Sequence, residues 1–123
     1  MFKKISNKFV YFFFFVFLLV GISTFKDYGI SVDEEYHRFA GFYWLKYVLS
    51  FTSLEELKIS TNFKFNQIKD FTLPHPKDNI YYGPFFDMPM AFFEVIFKID
   101  DPKNYFYLRH IAGFIIFFIG SIY

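Results

Sequence analysis

Two stretches of this chain run without a charged side chain for longer than most core elements do. Residues 9–25 (FVYFFFFVFLLVGISTF) lie between Lys8 and Lys26, and residues 111–123 (IAGFIIFFIGSIY) are uncharged to the last position. As a helix, the first run is about 25 Å long at 1.5 Å per residue, the short end of what crosses a bilayer. In hydrocarbon every backbone N–H and C=O must be satisfied within its own segment, so such a run has to be helical. The second run predicts a span over 105–123. No charge marks its exit, so the pattern reads as the first piece of a longer polytopic protein or as a truncated reading frame.

Residues 26–104 show shorter periodicities. Ser31-Val32-Asp33-Glu34 fits a capping box, with the Ser side chain accepting from the third-residue N–H and Glu34 reaching back. Val32, Tyr36, Phe39, Tyr43 and Tyr47 then recur at spacings of four and three, which predicts a helix over 31–50 with one apolar aromatic stripe, suited to the membrane-facing side of an interfacial helix or to a sugar-stacking platform. Glu34, Glu35, Arg38 and Lys46 fall away from that stripe, and Glu34–Arg38 is a favourable i,i+4 pair. Ser53 and Glu56 suggest a second, short helix over 53–58. A third is predicted over 88–99, with Asp87 as N-cap and Pro89 in the first turn, where no N–H is needed. Asp87, Glu94 and Lys98 share one stripe of that helix, and the rest of it is apolar. It is too short to span and suits either a helix lying in the membrane interface or one packed under other membrane helices. Residues 61–82, with Pro74 and Pro76 breaking their later part, read as irregular. Asp100 or Asp101 caps the next helix, with Pro102 in its first turn.

The fold class expected is therefore an all-α membrane protein. It has a cytoplasmic N-terminus (1–8), a transmembrane helix (9–25), an outer loop (26–104) with interfacial helices near 31–50 and 88–99, and the start of a second transmembrane helix (105–123).

Composition supports this. Of the 123 residues, 23 are Phe, 10 Tyr and 1 Trp, and hydrophobic types make up 54 %. So many rings would aggregate on a soluble domain, and the same content excludes disorder. With 13 Lys+Arg against 12 Asp+Glu there is no basic surplus to hold nucleic acid. The absence of Cys removes disulfides, thiolate nucleophiles and thiolate metal sites. Lys3, Lys4 and Lys8 precede the first span, whereas every acid lies between Asp27 and Asp101. That bias puts the N-terminus in the cytoplasm and the loop outside. A secretory signal peptide cut near Ser23 is the rival reading. A retained anchor is favoured because a second span follows. Heavy use of Phe, Ile and Lys suggests an AT-rich bacterial genome, and hence the bacterial inner membrane with a periplasmic loop.

Several residues could carry chemistry. Asp33 begins a helix, where the dipole favours a carboxylate, and His37 follows on the same face. Together they could bind a divalent cation or move a proton, although D-x-x-x-H is a short pattern with many chance matches. Arg109-His110 opens the second span. Arg109 either snorkels to the interface or meets an anionic headgroup, which its planar fork suits. Tyr81-Tyr82-Gly83-Pro84 reads as a loop corner anchored by aromatics, and His75 has no spaced partner.

The order of these features is more specific than any one of them. A basic N-terminus, a span, Asp33-Glu34 with His37 after it, a long loop holding Tyr-Tyr-Gly-Pro and a short apolar helix, then R-H-I-A-G at the second span: this resembles the N-terminal part of the GT-C fold membrane glycosyltransferases. The likeness is greatest to the protein O-mannosyltransferase and aminoarabinose-transferase-like group. The resemblance implies transfer of a sugar from a polyprenyl-phosphate-linked donor to an acceptor on the outer face. It implies a catalytic carboxylate at Asp33 with Glu34 beside it, and a substrate-binding role for Arg109; some members also have a His at the place of His37. A divalent cation is possible, held by Asp33 and His37. The partners implied are the bilayer, the lipid-linked donor and the remainder of the same chain, and residues 1–123 alone are expected to be inactive. The alternative is a small two-span structural or assembly subunit without catalysis.

Overall fold

A computed structural model describes residues 7–31, 33–68 and 84–122 of the chain. Among them lie five α-helices and no strand: α1 (Asn7–Thr24), α2 (Glu34–Ser50), α3 (Glu55–Ile68), α4 (Pro84–Ile96) and α5 (Pro102–Ile122). The described residues are all-helical apart from their connections, as the periodicities predict. It divides into two compact units, one formed by residues 1–29 and 106–123, the other by residues 30–105.

The first unit contains α1 and most of α5. At 1.5 Å per residue these helices are about 27 Å and 32 Å long, and both are apolar enough to cross a membrane. They meet through rings. Phe17 lies 5.9 Å from Phe114, 6.2 Å from Phe117 and 5.9 Å from Phe118, centroid to centroid. Gly21 leaves room for this contact, since a Cβ there would fall 1.9 Å from an atom of the Phe114 ring. The outward rings of Phe9, Phe12, Phe13 and Phe15 are exposed, which would be costly in water but not in lipid. Hydroxyls in the same helices close on their own backbone. Ser23 and Thr24 both donate to the Val20 carbonyl, and Ser121 donates to that of Phe118, so these groups do not call for water.

The second unit is a three-helix packing of α2, α3 and α4. Its core is Phe42, Leu45, Leu49, Phe65, Ile68, Ala91 and Val95. α2 and α4 approach closely because Gly41 presents no side chain: a Cβ there would lie 2.2 Å from the Asp87 carbonyl oxygen. Glycine costs a helix interior about 0.5–1 kcal/mol relative to alanine, and the close packing offsets it. After α4, Lys98 takes a left-handed conformation (φ 51°). Its N–H bonds to the Val95 carbonyl and that of Ile99 to the Glu94 carbonyl, the paired closure of a Schellman turn.

Several expectations are revised. α2 begins at Glu34 with Asp33 as N-cap, and Asp33 makes no side-chain cap bond. The Ser31 hydroxyl accepts from the Asp33 N–H at 3.2 Å, so a local turn replaces the capping box; Val32 lies outside the described residues. The aromatic stripe is divided: Tyr36 is buried with Phe42, Leu45 and Leu49, while Tyr43 and Tyr47 are 41 % and 54 % exposed, as a membrane-facing side would be. α3 is longer than predicted and absorbs residues 61–68; residues 69–83, including His75 and Tyr81-Tyr82-Gly83, lie outside the description. α4 starts at Pro84, not near 88, so Pro89 lies inside the helix and Asp87 within its first turn. α5 begins as expected: the Asp101 carboxylate accepts from the Lys103 N–H at 2.9 Å.

Candidate functional site

The polar residues of the second unit concentrate on the seam between α2 and α4. His37 and Arg38 are adjacent on α2, and Asp87 and Glu94 lie seven residues apart, two turns, on one face of α4. That geometry lets two consecutive side chains of one helix each take a carboxylate of the other. His37 Nδ1 lies 3.0 Å from Asp87 Oδ2. Arg38 is bidentate on Glu94: Nε donates to Oε2 at 3.0 Å, and a terminal nitrogen donates to Oε1. The Arg38 guanidinium also lies 3.8 Å from the centroid of the Tyr105 ring and 5.6 Å from that of Phe42. Two ring faces therefore shield its charge from above and beside.

Glu94 is the centre of a larger network. Lys64 of α3 has Nζ 3.8 Å from Glu94 Oε1 and 2.9 Å from Asp100 Oδ1, and it donates to the Ile99 carbonyl. Lys64, Asp87 and Glu94 are 6 %, 6 % and 3 % exposed. Buried charges survive only when paired and hydrogen-bonded, and here each helix of the unit contributes. The stripe of Asp87 and Glu94 visible in the sequence faces the protein interior, as in a packed helix and not an interfacial one. Arg38 is committed to Glu94 on the far helix, where the sequence pattern paired it locally with Glu34.

The sequence-predicted site residues divide accordingly. Asp33, Glu34 and His37 belong to the second unit, within the first turn and a half of α2. Asp33 is exposed, Glu34 is half-buried, and His37 is turned to Asp87. Arg109 belongs to the first unit, where it is buried one residue before His110, whose Nδ1 lies 3.3 Å from the Phe25 carbonyl. Among the described residues, no three His, Asp or Glu side chains gather as a metal-holding group. The sequence reading missed Lys64 and the partners of Asp87 and Glu94. The available signal was two acids seven apart on a helix otherwise almost wholly apolar. Such acids are too costly to bury alone, so they require cations opposite.

These features define an all-helical protein with two helices that can cross a membrane and a compact, internally ion-paired helical unit between them in sequence. No family model, curated protein or solved structure matches the chain.

Proposed function

We propose that this chain is the N-terminal part of an integral-membrane glycosyltransferase of the GT-C type, moving a sugar from a polyprenyl-phosphate-linked donor to an acceptor on the outer face. The observation that carries the reading is the exposed Asp33 carboxylate at the start of α2, nine residues after a helix able to span the bilayer. A connection of nine residues reaches at most about 30 Å from the end of that helix, which leaves the acid within reach of a donor that has its tail in the membrane. Asp33 would act as general base on the acceptor hydroxyl, with Glu34 beside it and His37 contributing to substrate binding. Arg109 would offset charge developing on the leaving phosphate. A divalent cation near Asp33 would serve the same end. The N-terminus is cytoplasmic and the second unit periplasmic, in a bacterial inner membrane, with the exposed Tyr43, Tyr47 and Phe51 of α2 suited to the interface.

The test is sugar transfer in membranes containing a protein that carries this segment together with later spans. Asp33→Asn is expected to lower transfer by about 10²–10⁴-fold with expression intact. Transfer at the unsubstituted rate refutes the assignment. A second reading, a two-span assembly subunit, is favoured by one observation: the charges between α2 and α4 are spent on one another. On that reading Asp33→Asn is silent, whereas disruption of Glu94 abolishes assembly.

A further inference from the structure

We propose that the second unit binds a phosphate group in the cavity between the C-terminal half of α2 and the N-terminal half of α3. The cavity has a volume of about 120 Å³ and is lined by Lys46, Leu49, Ser50, Lys58, Thr61 and Asn62. At ~30 Å³ per water molecule that is room for about four waters, or for one compact oxyanion. Both walls follow one pattern. α2 supplies Lys46, Leu49 and Ser50 at i, i+3 and i+4, and α3 supplies Lys58, Thr61 and Asn62 at the same spacing. Each set lies on a single helix face.

Thr61 is the second, independent sign. It is 1 % exposed, and its hydroxyl oxygen has no hydrogen-bond partner among the described residues. A helical threonine ordinarily relieves this by donating to a carbonyl of the preceding turn. Thr24 of α1 does so to Val20, and Thr52, just past the end of α2, donates to Leu49. The Thr61 hydroxyl makes no such bond, and Thr61 is one of the residues that line the cavity. The Asn62 side-chain oxygen is likewise buried without a partner; an amide turned about its last bond presents its NH₂ from the same place.

The charges suit an anion. Lys46 has no carboxylate within ion-pair distance among the described residues, and its ammonium lies 4.9 Å from the centroid of the Phe65 ring. Lys58 is held by Glu55 at 2.9 Å, but the Glu55 side chain is 73 % exposed. A surface pair of this kind is weak and can yield to a better acceptor. Two ammonium groups outweigh the partial negative end of α2, roughly half a charge. The Ser50 hydroxyl donates to the Tyr47 carbonyl, so its oxygen is left to accept, as from a protonated phosphate. Phosphate therefore meets donors from Lys46, Lys58, Thr61 and Asn62. The group could belong to a lipid headgroup or to a free ion. The site lies wholly within the second unit and does not depend on sugar transfer.

The test is ³¹P line broadening with the full chain in a phosphorus-free maltoside detergent. Inorganic phosphate and short-chain phosphatidic acid are titrated separately. Saturable broadening is expected, weakened about tenfold or more by Lys46→Ala and by Thr61→Val. Thr61→Ser should restore binding, and Glu55→Gln should tighten it by releasing Lys58. Thr61→Val removes an unpartnered hydroxyl at nearly constant volume, so its unfolding midpoint should not fall. Binding of inorganic phosphate upholds the proposal with a free ion as ligand. Binding of phosphatidic acid alone upholds it with a headgroup. No broadening by either probe, or broadening unchanged in both Lys46→Ala and Thr61→Val, overturns it and leaves the cavity to water.

Discussion

Lys98 is the one described residue other than glycine with a positive φ, and it closes α4 in a position that normally falls to glycine. A left-handed backbone costs a side-chain-bearing residue about 1–2 kcal/mol, because its Cβ crowds the following carbonyl. Lys98→Gly should therefore stabilise the second unit by roughly 1 kcal/mol, less the greater backbone entropy that glycine brings to the unfolded chain. Thermal unfolding followed by circular dichroism measures it. A fall in midpoint would mean that the Lys98 side chain makes a contact worth more than the strain.

Helix pairing depends on the fit and charge of the α2–α4 seam. Gly41→Ala places a methyl 2.2 Å from a backbone oxygen of α4. Backbone cannot turn aside as a side chain can, so the helices must separate, at a cost of about 1–3 kcal/mol or more. Gly113→Ala has open space around its new Cβ and should be neutral to slightly stabilising. Glu94→Gln strands Arg38 and Lys64 in the interior without their shared carboxylate. Losing one partner of a buried pair costs about 3–5 kcal/mol. The double substitution Arg38→Met with Glu94→Met should cost much less than the two single substitutions summed. Urea midpoints for the four chains decide this, and strict additivity would show the pair to be uncoupled. The same seam marks what sequence could and could not convey. The helical character of 34–50 and 84–96 and the Asp101 cap follow from periodicity and local chemistry, which travel with the chain. The face of α2 that turns inward does not. Tyr43 and Tyr47 match an apolar stripe as well as Leu45 and Leu49 do, and the choice falls to Gly41, whose lack of a side chain lets α4 approach on its own side. Likewise Asp87 and Glu94 were visible as a stripe, but partners thirty to fifty-six residues away cannot be read from spacing along one helix.

At the scale of the whole molecule, the absence of cysteine makes the proposed topology directly testable. Asn7→Cys marks the start of α1, and Glu56→Cys marks an exposed position on α3. Lys3 and Lys4 before α1, Lys8 in its first turn and no acid until Asp27 predict a cytoplasmic location for the first of these. A membrane-impermeant maleimide should then label Glu56→Cys in intact, outer-membrane-permeable cells. Asn7→Cys should react only after the inner membrane is opened. The two helices that can span the bilayer flank the second unit in sequence, so a single crossing by α1 suffices to put that unit outside. Removal of α1 by a signal peptidase would leave Glu56→Cys labelled but release a product that lacks residue 7, seen as a smaller band that Asn7→Cys never labels. Labelling of both positions from outside would mean that α1 does not cross, whereas labelling of Asn7→Cys alone would reverse the orientation. Reversal would also remove Asp33 from the face on which a lipid-linked sugar is transferred, because a carboxylate in the cytoplasm cannot act as base for an acceptor across the membrane.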